Sequence, residues 1–277
     1  MLKITTLIEN ELSRDENLNA EHGISLYIEV DDKKILFDTG QSGNFIKNAE
    51  RLNIDLSDLD YVIISHSHYD HSGGFKNLVE EYDTNFKLFI GEDFFKEKHS
   101  LSGDIYRYVG SPFKIDYLKE KDIETEYIKD IKQLTENSLI ITDFIRNPEY
   151  ENTNEAMFIK EGKDFVLDDF ADEIALVVDT GKGLVVTVGC SHPGIVNMLD
   201  TIIKRTGKDI YALIGGTHLM KEDDEKINKI IDYLKEKEIK QIGACHCTGK
   251  QGETMLSQQM EEEFFSNNTG DILKYKL

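Results

Sequence analysis

The sequence predicts a mixed α/β (α+β) chain folded as a four-layer αββα sandwich with an inserted lid. Three observations predict it. A hairpin, loop and amphipathic helix recur in the two halves, each half holds a strand that ends in histidine, and residues from about 90 to 168 fit neither repeat. In the first half, residues 26–30 and 34–37 flank an Asp-Asp-Lys-Lys turn and read as a hairpin. Asp38-Thr39-Gly40 follows, then a helix bearing Phe45, Ile46, Ala49 and Leu52. In the second half, residues 174–179 and 184–188 flank a Thr-Gly-Lys-Gly turn and read the same way. Gly189-Cys190-Ser191-His192 follows, then a helix bearing Ile195, Met198, Leu199 and Ile202. The further strands, 60–64 and 210–214, run into His66 and His218. Two such halves bury their apolar faces by stacking sheet on sheet with helices outside. Beyond them come a helix with Ile227, Ile230, Ile231 and Leu234, and a short strand at 241–244 before His246. A last helix bears Met255, Leu256, Met260, Phe264 and Phe265.

The six residues His66-Ser67-His68-Tyr69-Asp70-His71 pack three imidazoles and a carboxylate directly after an apolar strand. Side chains alternate along an extended chain, so His66 and His68 face one side. Asp70 and His71 fall in the next turn, before a Gly73-Gly74 pair that lets the chain bend into a helix. Two histidines and a second Asp-His pair can grip two adjacent cations from opposite sides. Donors of this kind suit zinc, iron or manganese, and imidazole leans toward zinc or iron. This is a metal site for one or two divalent ions.

The 277 residues suffice for one large domain, 1–277. No apolar run approaches the roughly 20 residues that span a bilayer, and the N-terminus turns polar too soon for a secretory signal. Three cysteines (Cys190, Cys245 and Cys247) make no disulfide framework, which fits a reducing cytoplasm. With 53 acidic against 32 basic residues and a net charge of −21, the surface repels phosphate backbones. The expected partner is a small-molecule substrate, with neither nucleic acid nor membrane.

The motifs resemble the metallo-β-lactamase superfamily, whose signature is HxHxDH after a buried strand. Asp38-Thr39-Gly40, His192 and His246 fall in the order that superfamily requires. A narrower resemblance is to the 7,8-dihydropterin-6-ylmethyl-4-(β-D-ribofuranosyl)aminobenzene 5′-phosphate synthase-like branch. Its EN, FDTG, HxHxDHxGG, GCxHxG, GGxHL and HCTG blocks match Glu9-Asn10 and residues 37–40, 66–74, 190–194, 215–219 and 246–249. Residues 142–151 are similar to a further block but depart from it at Asp143 and at Ile145-Arg146-Asn147-Pro148.

The resemblance implies a metallo-β-lactamase sandwich. It also implies one metal on His66, His68 and His192, and a second on Asp70, His71 and His246. The bridging donor usual in such a pair is commonly Asp, where this chain has Gly189-Cys190. Cys190 could supply a thiolate there or simply fill the core, and single-metal occupancy stays open. Asp38 would orient a metal-bound histidine from behind. His218 reads either as a histidine supporting a ligand or as a catalytic acid/base or substrate contact. Asn10 and Arg146 are the expected substrate contacts, with the aromatics of the insertion (Phe94, Phe95, Tyr106, Tyr108, Phe113, Tyr117) offering stacking faces. Cys245 and Cys247 are expected to point away from His246, and His99 to be a surface residue.

The expected function is a metal-dependent hydrolase or transferase of a small phosphorylated or pterin-like metabolite. Activated water or a polarised substrate oxygen would do the chemistry, with Asp70 as both ligand and proton acceptor. The alternative is a metal-binding effector or sensor without turnover. Iron-based electron transfer is disfavoured, because no flavodoxin-like segment remains.

Overall fold

A computed structural model of the protein describes residues 1–82, 85–152 and 156–277. Both expected hairpins form, as Ser25–Val30 with Lys33–Phe37 and Ala175–Thr180 with Gly183–Val188. The first closes on Asp31 and Asp32, both at positive φ, the backbone a right-twisted two-residue hairpin needs. Each hairpin seeds a seven-stranded sheet. One runs in the order Ile272–Tyr275, Leu2–Ile8, Ser25–Val30, Lys33–Phe37, Tyr61–Ile63, Lys87–Gly91, Thr125–Ile128. The other runs Phe264–Ser266, Gln241–Cys245, Ile210–Gly216, Gly183–Val188, Ala175–Thr180, Ser138–Ile141, Ile131–Gln133.

Side-chain alternation divides the core into three apolar layers. Ile35 and Phe37 meet Leu176, Val178 and Ile214 between the sheets. Leu36 and Val62 face outward onto Phe45 and Ala49 of helix Asn44–Arg51 and Phe75 of helix Phe75–Glu81. Val186 and Leu213 face outward onto Ile195, Leu199 and Ile230 of helices Ile195–Thr206 and Asp224–Glu236. Helix, sheet, sheet, helix is the predicted sandwich. Among the described residues no helix is long and apolar enough to cross a membrane.

Two expectations change. The last helix, Gly249–Gln259, stops before the phenylalanines, and Phe264–Ser266 becomes an edge strand parallel to Gln241–Cys245. Aromatic residues suit a half-buried pleated surface, and pairing at the open sheet edge outweighs the helical spacing. The 90–168 segment is also not a single excursion. Its Thr125–Ile128 and Ser138–Ile141 belong to the two main sheets, and residues 153–155 lie outside the described residues. What stands apart is a four-stranded sheet, Asp164–Leu167, Met157–Glu161, Glu97–Ser102, Ile105–Tyr108, built from both flanks of that pair.

Candidate metal centre

Five histidines of the cluster follow the C-terminal end of a strand, where open α/β sheets gather their ligands. His66 and His68 follow Tyr61–Ile63, His192 follows Gly183–Val188, His218 follows Ile210–Gly216, and His246 follows Gln241–Cys245. Short helix Tyr69–Ser72 then presents Asp70 and His71. The Gly73-Gly74 pair is required by crowding, since both have ordinary negative φ. A Cβ at Gly73 would lie 2.4 Å from Gln41 O, and one at Gly74 2.3 Å from Thr39 O. Asp38, Ser191, His218 and His246 all hold left-handed φ between 52° and 61°, a strain of about 1–3 kcal/mol each that clusters at functional sites.

The hydrogen bonds set which ring nitrogen is free. His71 Nδ1 lies 2.7 Å from Asp38 Oδ2, so this N–H donates to the carboxylate and the Nε2 lone pair faces Cys190 Sγ at 3.2 Å. His246 Nδ1 donates to Asn10 Oδ1 at 3.2 Å, and its Nε2 lies 3.3 Å from Asp70 Oδ2. His66 Nδ1 lies 3.0 Å from Ser65 Oγ and 3.8 Å from Glu173 Oε2, which leaves Nε2 facing His68 Nδ1 at 3.1 Å. Partners of this kind fix the tautomer and aim of metal-binding imidazoles. His68 Nε2 is buried without a hydrogen-bond partner among the described residues.

The converging donors form overlapping groups able to hold a metal: His66, His68 and His192; His66, His71 and Cys190; Cys190, His246 and Cys247; and His22, Asp70 and His246. Within each, the ligand atoms lie within 4.8 Å of one another. Burial drives the imidazoles of His66, His68 and His192 well below the usual histidine range, which keeps their lone pairs available. His71 differs. Burial pulls it down, but the Asp38 and Asp70 carboxylates outweigh that and hold it at about 9, so a cation at Nε2 takes the place of a proton there. Burial alone would raise Asp70, yet His71, His22 and His246 around it keep it well below the carboxylate range. That is the electrostatic balance of a cation site.

Asp38 is fully buried and also accepts from Ser65 N at 2.7 Å and Ser65 Oγ at 2.8 Å, tying the two motif loops together. Asn10 spans His246, its amide donating to the backbone oxygen at 3.3 Å while its oxygen takes the ring N–H. Glu9 accepts from His246 N at 2.6 Å. Among the described residues His218 Nδ1 is buried without a hydrogen-bond partner, its ring 4.5 Å from that of His192, and burial pushes it down to about 4. His99 is half-buried in the four-stranded sheet, between Tyr108 and Phe165.

Arg146 is exposed and donates to Asp169 O on the wall of a cavity of about 760 Å³. Glu92, Asp93, Asp143, Glu151, Asp168, Asp169 and Glu173 line it against two cations, Lys129 and Arg146, so the wall is mainly acidic. Phe94 and Phe113 are core residues packed with Phe75, and Tyr106 stacks on Phe165 at 3.7 Å. These rings serve packing. Cys247 is also not turned away. The left-handed turn at His246 starts the 3-10 turn His246–Thr248 and swings Cys247 inward, while Cys245 packs between the sheets.

Several site residues carry no mark in the sequence. His22, with Nε2 3.1 Å from Asp70 Oδ2, has no partner at ligand spacing in the chain. Phe170 stacks on His192 at 3.9 Å and 9°. Glu173 is wholly buried, accepts from Ser191 N at 3.1 Å, and is pushed up to about 8 by burial. Lys98 reaches from the four-stranded sheet to Asp168 at 3.0 Å and Asp172 at 2.6 Å, and lies 4.6 Å from the Phe170 ring centre. Asp172 in turn accepts from Ser67 N at 2.9 Å, within the histidine loop.

The family model of the metallo-beta-lactamase superfamily matches residues 20–206. The chain belongs to that superfamily. It is 33% identical to a 7,8-dihydropterin-6-methyl-4-(beta-D-ribofuranosyl)-aminobenzene-5'-phosphate synthase of Methanocaldococcus jannaschii, over 99% of this chain and 97% of that one. An uncharacterized protein of the same organism is 35% identical over 92% of this chain and 93% of its own length. Among solved structures, a metal-dependent hydrolase of the beta-lactamase superfamily superposes with a TM-score of 0.86 at 29% identity, covering all of both chains. A superfamily fold and a synthase relative point to an enzyme.

Proposed function

We propose that the protein is a metal-dependent hydrolase or transferase whose substrate is a small phosphorylated, pterin-like metabolite. The observation that carries the reading is that His71 and His246 both turn Nε2 toward Asp70 while Asp38 and Asn10 hold their Nδ1 atoms, with the His66, His68 and His192 group in the same buried cluster. His66, His68 and His192 would hold one divalent ion, and Asp70, His71 and His246 a second, with His22 beside it. Zinc suits the imidazole-rich donor set best, with iron or manganese as alternatives. Such ions supply Lewis acidity, acidifying water and drawing charge from a phosphoryl or carbonyl oxygen.

The chain's own groups do the rest. Asp70, whose side chain keeps 11% exposure, takes the proton from the incoming nucleophile. His218 offers its unpartnered Nδ1 to the substrate beside His192, and Phe170 shields the opposite side of the cluster from water. Arg146 and Lys129 are the cations of the adjoining cavity placed to take a phosphate. The pterin-like substrate class is supported by the 33% identity to the synthase over nearly the whole of both chains.

The test loads the metal-free protein with zinc. It is then given a dihydropterin with a leaving group on its 6-methyl carbon, together with 4-(β-D-ribofuranosyl)aminobenzene 5′-phosphate. Products are followed by mass spectrometry, beside a panel of phosphodiesters, thioesters and lactones. Metal-dependent condensation or hydrolysis is expected. A fully loaded protein inert on the whole panel would overturn the enzyme reading.

A further inference from the structure

We propose that the second cation position is a mixed sulfur–nitrogen site, in which Cys190 and Cys247 join His246, beside Asp70 and His71, and select a thiophilic ion of the zinc type. The proposal rests on the metal reading above and goes further by naming the donors and the ion class. Cys190 belongs to two donor groups at once, one with His66 and His71 and one with His246 and Cys247, so its sulfur sits between the two halves of the cluster. A thiolate there can touch both cations. Its Sγ lies 3.2 Å from His71 Nε2, the nitrogen that the Asp38 hydrogen bond leaves with a lone pair.

Cys247 approaches from the end of strand Gln241–Cys245, two strands along the same sheet edge, its Sγ 3.5 Å from Cys190 O. A tetrahedral zinc with bonds of about 2.0–2.3 Å spaces its ligands about 3.3–3.8 Å apart. Cys190, His246 and Cys247 already lie with their donor atoms within 4.8 Å of one another and need only a small contraction, while His71 Nε2 stands 3.2 Å from the Cys190 sulfur.

The backbone is shaped around the second sulfur. A Cβ at Gly216 would fall 2.5 Å from Cys247 Sγ, so any side chain there would take the sulfur's place. Thr248 Oγ1 accepts from Thr217 N at 3.2 Å and lies 3.0 Å from Thr217 Oγ1, clasping the turn that carries Cys247 against the strand end beside Gly216. Cys245, two residues away, lies between the sheets and provides an internal control. Binding one divalent ion would release both thiol protons to solvent, leaving two thiolates that neutralise its charge. Hard oxygen-preferring ions such as manganese gain little from such a site.

The test uses the full chain with two equivalents of zinc or cobalt. Zinc X-ray absorption should show sulfur scatterers near about 2.3 Å. The cobalt form should show a thiolate charge-transfer band that survives in Cys245→Ala, weakens in Cys190→Ser and in Cys247→Ser, and vanishes in the double variant. Manganese should fill one position where zinc fills two. Two bound zinc ions with only nitrogen and oxygen neighbours overturn the proposal and leave the metal reading intact. Failure to bind any metal overturns both. The zinc spectrum of the unaltered protein decides even if the serine variants do not fold.

Discussion

Replacing Asp38 with Asn changes one atom and should weaken the second cation selectively. The residue is fully buried at φ 58°, a conformation Asn tolerates well. Oδ1 still accepts from Ser65 N at 2.7 Å, so the loop carrying His66 and His68 keeps its anchor. The amide nitrogen, however, would face His71 Nδ1 across the 2.7 Å now spanned by N–H to carboxylate. Two N–H groups cannot meet at that distance. His71 must rotate or move its proton to Nε2, and either removes the lone pair aimed at the cation. A hydrogen bond to a charged group is worth about 1.5–3 kcal/mol. Loss of a group supporting a ligand histidine typically costs about 10–100-fold in metal affinity. At roughly 1.4 kcal/mol per decade the two figures coincide. Chelator-competition titration with zinc should therefore show the second equivalent weakened about 10–100-fold and the first unchanged. Equal weakening of both equivalents, or of neither, would refute the tautomer argument.

Other substitutions test other links. Lys98→Met strands Asp168 and Asp172 as buried carboxylates, which should cost about 3–5 kcal/mol. The urea midpoint should fall at unchanged slope and recover when both aspartates become Asn, and a loss below about 1 kcal/mol would mean the triad is solvated. His68→Ala should strip the cation it shares with His66 and His192 while leaving the far-ultraviolet dichroism intact, and full zinc content by elemental analysis would contradict this. Arg146→Ala should weaken a phosphorylated substrate by about 1.5–3 kcal/mol with metal content unchanged. An unchanged KM would leave Arg146 as a brace for the Asp169 backbone. Gly194→Ala places a Cβ 1.9 Å from Tyr150 O at φ 93°, so the melting temperature should drop by more than backbone strain of about 1–3 kcal/mol explains.

The sequence by itself determined the hairpins, the three-layered apolar core and the histidine motif. Each of these is written in local periodicity: alternation in residues 26–30, helical spacing from Ile195 to Ile202, and ligands crowded into six positions at 66–71. The same locality misled it at Phe264 and Phe265, where helical spacing continued past the true end and the neighbouring strand captured the chain. It also treated residues 90–168 as one unit, because poor periodicity does not reveal that three of its strands complete distant sheets. Only the tertiary structure decided that His22 stands beside Asp70, that Phe170 covers His192, that Glu173 lies behind His66, and that Cys247 turns toward Cys190. These partners lie 48, 22, 107 and 57 positions apart in the chain, and no spacing rule reaches so far. They meet because parallel strands of two stacked sheets end at one edge, and the loops leaving that edge share a space that none of them encodes alone.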